Sequence, residues 1–372
     1  METIYKKVII IGAGPAGLAT SKVLRDHEID HLILEKGKSI ANSWRIFYDS
    51  LTLHTGKHLS HLPGMKFKKE VNLFPPKNQF IKYMEDYRDK FDLPIQTSSE
   101  VKKIERIIEN NKWRIFIEHK IFECDCLVLG VGLASFPFIP KIKGIEEFKG
   151  DIIHSINYKN PEGYKNKSVL IVGAGNSAAE ISYELSEEGI DTSIFIKSGA
   201  NVAPLSVFGL PIQYIGYIMS IFPKSLQLNL IKLGNFFIDL LTGGPLIPRP
   251  SYSPLDRPPI IGKKFLKSLE KGSLKYHKKI ISYKEDGVIF ENNEFKKIDT
   301  IILATGFRVN FDIFDKKIEI DNKGFAKRKD RVEDSLFSNL FYIGQNYDST
   351  GGLVNIRKDS KIIGKKIKAI LN

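Results

Sequence analysis

The 372-residue chain is poor in sulfur: two cysteines and four methionines, with only two tryptophans besides. Cys124 and Cys126 stand two positions apart in an apparent strand, which excludes a disulfide framework and departs from the CxxC of a redox dithiol. They read as reduced strand residues, and the chain is expected in the cytoplasm. Between Met1 and the apolar strand Val8-Ile9-Ile10-Ile11 there is no room for a charged leader and an apolar signal core, so secretion is not expected. An unbroken apolar run of the ~20 residues that a membrane span requires is also missing. The nearest approach, at 210–222 and 226–241, is interrupted by Pro211, Gln213, Pro223, Lys224, Asn229, Lys232 and Asp239. No transmembrane span is expected; helices lining an apolar substrate pocket are the first reading of this region, and peripheral membrane contact is the second.

Acidic residues are outnumbered, 43 against 56 lysines and arginines, for a formal charge of +13. Such a field draws nucleic acid, an anionic membrane surface or phosphate-bearing cofactors. The lysines are spread along the chain, as at Lys263-Lys264, Lys316-Lys317 and Lys365-Lys366, without the clustered arginine and interleaved aromatics of a nucleic-acid surface. No nucleic-acid partner is expected. The mix of 42% hydrophobic and 27% charged residues suits a globular enzyme with two domains.

What the sequence does contain is one plan used twice: an apolar strand, a glycine-rich turn, a helix and a second strand. The first copy, residues 7–36, carries Gly12-Ala13-Gly14-Pro15-Ala16-Gly17 and ends in Leu34-Glu35-Lys36. In this pattern Gly12 permits a tight turn, Gly14 lets the backbone approach a pyrophosphate and Gly17 permits close packing, while Glu35 accepts from ribose hydroxyls. The second copy, residues 168–198, carries Gly173-Ala174-Gly175-Asn176-Ser177-Ala178. Ile196 occupies the position of Glu35, followed by Lys197-Ser198, so nothing there repels a 2′-phosphate and a cation and a hydroxyl are present to bind one. This favours NADPH over NADH; Lys197 as a plain surface lysine is the bland alternative. A hinge is expected at 157–167, and further strands at 126–131, 300–304 and 340–343, giving a parallel, doubly wound α/β sheet.

Between the two copies, Phe148-Lys149-Gly150-Asp151-Ile152-Ile153-His154-Ser155-Ile156-Asn157-Tyr158-Lys159 matches FxGxxxHxxxYK without a mismatch. On this fingerprint the chain resembles the flavin-containing monooxygenases over essentially its whole length. Further matches are Ser43-Trp44-Arg45, like the family's flavin-contacting turn, and Gln79, like the glutamine that faces the nicotinamide. Leu303-Ala304-Thr305-Gly306-Phe307 is similar to the family's ATG signature, and Gly344, Gly352 and Leu353 to the turn and helix start aimed at the flavin pyrimidine. Val101 joins the cofactor-binding set that the resemblance implies. Gly130-Val131-Gly132 departs from the usual alanine-threonine-glycine turn and is expected to loosen contacts there. Where many members carry an asparagine that holds the oxygenated flavin, this chain has His54, and Leu53-His54, Phe195-Ile196-Lys197-Ser198 and Ala203-Pro204 resemble the plant-type YUCCA branch. His54 is the catalytic candidate, with a core histidine as the competing reading; His154 is read both as a hinge pin and as a residue that sets how NADPH meets the flavin.

The resemblance implies two Rossmann-like dinucleotide-binding domains of the FAD/NAD(P)-binding, glutathione-reductase-like type, the NADPH domain (161–298) inserted between two parts of the FAD domain (1–160 and 299–372). It implies FAD and NADPH as cofactors, O2 and a small organic molecule as substrates, and a peroxyflavin that oxygenates an amine, a sulfide or a 2-oxo acid such as indole-3-pyruvate. Tyr158-Lys159 where Baeyer–Villiger enzymes end in tryptophan disfavours that subclass. The rival readings are an NADPH oxidase or quinone reductase that leaks peroxide, and a non-catalytic FAD protein that uses 205–241 as a partner surface.

Overall fold

The computed structural model of the protein describes residues 2–132, 136–291, 293–322 and 324–372, with the side chains of Leu241 and Thr242 outside that description. The chain divides into two compact units: Met1–Ile46, Thr55–Phe136 and Phe307–Asn372 in the first, Phe47–His54 and Pro137–Gly306 in the second.

In the first unit the strand Glu2–Ile11 is partly exposed up to Lys7 and then buries Val8, Ile9, Ile10 and Ile11 in succession. A continuous apolar run is what a strand covered on both faces requires. It lies between His31–Leu34 and Lys120–Leu129, parallel to both, with Ile11 opposite Leu34 and Leu129. Ile95–Gln96 and Leu340–Tyr342 extend the parallel arrangement on either side, and Lys103–Ile107 and Lys112–Phe116 add an antiparallel wing. The helix Pro15–Asp26 has proline at its start, where the missing N–H costs nothing, and packs beside the C-terminal helix Gly352–Leu371. Both cysteines lie on Lys120–Leu129, free and buried; burial pushes the Cys126 thiol up to about 12 and that of Cys124 well above its ordinary value. Neither is a ready thiolate, so a dithiol reductase has no residues here to run on.

The second unit repeats the topology. Its parallel sheet runs Leu274–His277, Asp191–Phe195, Ser168–Val172, Thr300–Leu303 and Asp151–His154, so the strand before the glycine turn again holds the centre. The helix Asn176–Glu187 buries Ala178, Ala179, Ile181 and Leu185 in the unit's core. Two further helices, Ile212–Met219 and Lys224–Thr242, occupy the apolar region. Among the described residues no apolar side chain of either helix is buried within the unit; the buried ones are Gln213 and Gln227. The helices therefore turn their apolar side chains outward from the unit instead of enclosing a pocket within it. No helix among the described residues is long and apolar enough to cross a membrane.

Candidate functional site

The first glycine turn is dictated by close approach. A Cβ on Gly17 would lie 1.9 Å from the Gly12 carbonyl oxygen, and one on Gly12, at φ +102°, would lie 2.8 Å from that of Gly130. Gly130 thus sits tight against the turn, and the departure from the family's alanine-threonine-glycine leaves that contact close. Gly14 is different: its backbone is extended (φ −85°, ψ −173°), and a Cβ there would meet nothing within 4 Å. Open space in front of a helix N-terminus is the cradle a pyrophosphate needs. Glu35 is buried, with Oε2 accepting the Ala13 N–H and Oε1 the Gly37 N–H, each at 2.8 Å. Each oxygen keeps a second lone pair for a ribose hydroxyl. These residues fit the adenosine diphosphate half of a dinucleotide.

The segment carrying Ser43, Trp44 and Arg45, and Gly344, lie against this turn, whereas Gln79 and Val101 make their contacts elsewhere in the unit. The Ala41 N–H donates to Ala13 O at 3.0 Å, which brings in the short helix Asn42–Ile46 with Ser43, Trp44 and Arg45. Trp44 sets its ring edge against Phe80 at 4.6 Å, and Arg45 donates to Ile40 O and to Glu85. Gly344 lies where an added Cβ would touch Ala16, while Gly352 opens the C-terminal helix and Leu353 is buried. The Lys36 ammonium sits 5.6 Å from the Phe136 ring centre. Gln79 holds a loop by accepting the Asn72 N–H at 3.0 Å, and Val101 packs against the unit's core.

In the second unit a Cβ on Gly173, at φ +153°, would lie 2.3 Å from Ala304 O, so the turn and the 303–307 signature are in contact. Gly175 again is extended (φ −109°, ψ 179°) with nothing within 4 Å of an added Cβ. Asn176 clamps a neighbouring loop, donating to Pro259 O and accepting from the Ile261 N–H, and Ser177 follows it in the first turn of the helix. At the end of Asp191–Phe195, Ile196 is buried and its N–H bonds His277 O, whereas Lys197 and Ser198 are exposed. Neither has a side-chain hydrogen bond or ion pair among the described residues. A free cation and a free hydroxyl thus stand at the strand end that carries a carboxylate in the first unit.

The fingerprint residues are woven into this unit. His154 accepts the Ile156 N–H at Nδ1 (3.2 Å) and donates from Nε2 to Gly306 O (2.9 Å), a pattern met by the neutral ring with its proton on Nε2. Burial lowers its pKa accordingly. The Thr305 hydroxyl donates to Phe138 O, so the ATG turn is pinned from both flanks. His54 Nε2 is paired with Glu180 Oε1, and the Tyr48 hydroxyl donates to Glu180 Oε2 at 2.6 Å. One turn along the same helix, Glu184 accepts from Tyr158 at 2.8 Å; its own pKa is raised, chiefly by burial. Glu180 escaped the sequence reading. Two glutamates at i and i+4 hint at a shared face, but nothing local ties Glu180 to a histidine 126 positions earlier.

With that geometry in place, comparison with known proteins is informative. Residues 9–204 match the family model described as pyridine nucleotide-disulphide oxidoreductase. The chain is 30% identical over 395 residues to the probable indole-3-pyruvate monooxygenase YUCCA10 of Arabidopsis thaliana, covering 100% of this chain and 98% of that one. It is 30% identical over 320 residues to the indole-3-pyruvate monooxygenase YUCCA1 of Oryza sativa subsp. japonica, covering 83% and 78%. In structure it is similar to a flavin-containing monooxygenase from Stenotrophomonas maltophilia, with a TM-score of 0.78 at 18% identity and 100% of each chain covered. Two glycine cradles of different ribose chemistry, the FxGxxxHxxxYK fingerprint and similarity along the whole length converge: the chain belongs to the flavin-containing monooxygenases, in their YUCCA-like branch, and is a monooxygenase that uses FAD and NADPH.

Proposed function

We propose that this enzyme oxygenates an aryl 2-oxo acid of the indole-3-pyruvate type with loss of CO2. The observation that carries this reading is the 30% identity, end to end, with a relative named for indole-3-pyruvate. The overall reaction balances as 2-oxo acid, O2, NADPH and a proton giving the acid one carbon shorter, CO2, water and NADP+. Bound FAD, reduced by NADPH, supplies the activation of oxygen.

The chain's own residues bind and orient. Gly12, Gly14 and Gly17 with the helix N-terminus at Pro15 and Ala16 receive the FAD pyrophosphate, and Glu35 holds its ribose. Gly173, Gly175 and Ala178 do the same for NADPH, with Lys197 and Ser198 taking the 2′-phosphate. Glu180 fixes His54 by pairing with Nε2, and Nδ1 has no partner among the described residues. That leaves Nδ1 as the ring atom able to hold a proton toward a negatively charged oxygen, with Glu180 behind it as counter-charge.

The test uses the purified holoenzyme, NADPH consumption and mass spectrometry under 18O2 with aryl 2-oxo acids, amines and sulfides. The shortened acid carrying one 18O supports the proposal. Oxygenated amine or sulfide with the 2-oxo acid untouched overturns the substrate, and hydrogen peroxide equal to the NADPH consumed would mark an NADPH oxidase.

A further inference from the structure

The helices Ile212–Met219 and Lys224–Thr242 are inside out for a protein in water. Among the described residues the buried side chain on each is a glutamine, Gln213 and Gln227, whereas Leu226, Leu230, Leu233, Phe237 and Leu240 are exposed. Their spacing of four, three, four and three residues sets them along one stripe. Phe236 beside them is 62% exposed and Ile221, in the bend between the helices, 78%. Just before, strands Ser206–Val207 and Leu210–Pro211 pair antiparallel and hold Phe208 at the hairpin tip. Phe208 sits at φ +49°, a conformation phenylalanine rarely adopts, and its side chain is entirely exposed. Contiguous apolar surface on this scale marks a face that meets something other than water.

Charge selects the occupant. Within 201–250 there is one acidic residue, Asp239, against Lys224, Lys232 and Arg249. Asp239 is already taken up by both terminal nitrogens of Arg249, at 2.5 and 2.6 Å, and Lys224 pairs with Asp256 at 2.8 Å, so Lys232, exposed and without an ion pair among the described residues, is the cation of the face left for an anion. The whole chain carries +13. A second copy would bring the same charge and be repelled, whereas an anionic surface is attracted. The 19-residue helix, about 28 Å long, fails as a membrane span, so it can only lie along a surface. We propose that the outward face of these two helices, with the Phe208 hairpin, docks flat on an anionic lipid bilayer.

Flotation of the holoenzyme with vesicles tests this. Binding should be ~10-fold tighter to phosphatidylcholine containing phosphatidylserine than to phosphatidylcholine alone and should weaken as salt rises. A Leu233→Ser/Phe237→Ser double variant, with its flavin absorbance checked to show that it folds, should float ~10-fold less. As a measurement that does not depend on that variant, Phe236→Trp should shift its emission to the blue with vesicles and be quenched by lipids brominated on the acyl chain. The proposal is overturned if the wild-type enzyme stays behind with both vesicle types, if the tryptophan is not quenched, or if sedimentation shows a concentration-dependent dimer that the serine variant dissolves.

Discussion

Replacing Gly14 by alanine should separate folding from cofactor binding. At φ −85° and ψ −173° alanine is unstrained, and its Cβ would meet nothing within 4 Å. The folded state is therefore not harmed, and the stiffer unfolded chain should stabilise the apoprotein by about 0.4–1 kcal/mol. The same methyl group, however, occupies the space a pyrophosphate enters. Overpacking of about 1–3 kcal/mol translates into FAD binding roughly 5- to 150-fold weaker. Gly17→Ala is the contrasting change, because its Cβ would stand 1.9 Å from a backbone oxygen that cannot swing away. That variant should fail to accumulate as folded protein. Gly175→Ala, also extended and facing open space, should keep FAD and lose NADPH. Soluble yield reads Gly17→Ala, and thermal denaturation of the apoproteins, with and without FAD, together with titration by flavin fluorescence, reads the other two. If Gly14→Ala binds FAD like the wild type, or fails to accumulate as Gly17→Ala should, the assignment of that cradle to a phosphate is wrong.

Lys197→Ala should raise the KM for NADPH roughly tenfold or more and leave NADH unaffected, with Lys197→Arg restoring most of the loss; an equal effect on both nucleotides removes the phosphate-binding role. Glu180→Gln should leave flavin reduction by NADPH intact but raise the fraction of NADPH that ends as hydrogen peroxide severalfold, and 15N spectra should show His54 with an altered ring protonation pattern; unchanged coupling would separate Glu180 from the chemistry. His154→Ala should release more peroxide only if the fingerprint positions the nicotinamide, so rapid-reaction rates of flavin reduction distinguish that from a purely structural pin. Because burial lowers the His154 pKa, the fold favours the neutral ring: stability is intact above the ordinary value of 6.5 and is lost as pH falls from there toward the lower folded value. The melting temperature should fall over that window, and His154→Gln, which keeps a donor for Gly306 O, should flatten part of the slope; an unchanged slope refutes the linkage.

Sequence alone exposed what is local. Gly12, Gly17 and Glu35 lie in one strand–turn–helix–strand passage, and the geometry each needs is encoded by its immediate neighbours. The same holds for Lys197, whose freedom follows from Ile196 turning inward one position earlier. The cysteines were equally legible, because two positions apart on a strand means one face of a sheet. The pairs that orient the candidate catalytic groups were not. Glu180 meets His54 and Tyr48 across 126 and 132 positions, and no periodicity reports a partner at that distance. The direction of the 212–242 helices was hidden for another reason. They are apolar round so much of their circumference that the pattern does not say which side is inside, and the deciding residues are two glutamines, which composition would have placed outside.

The segment Phe47–His54 follows Ser43-Trp44-Arg45 closely in sequence, yet it belongs to the second unit. The reason is a set of polar contacts with no counterpart in the apolar pattern: Tyr48 to Glu180, the Asp49 N–H to Lys159 O, and Asn160 to the Asp49 carboxylate. Glu180 lies four residues into the helix Asn176–Glu187, a rise of about 6 Å from Asn176. On the proposed reading, the helix whose N-terminus would receive the NADPH phosphates therefore also carries the carboxylate that pairs with His54. A disturbance at Gly175 and one at Glu180 act on the same rigid element, but they should differ in product. The first starves the flavin of hydride, so that little oxygen is consumed. The second lets reduction proceed and leaves the oxygen unprotected, so that peroxide appears.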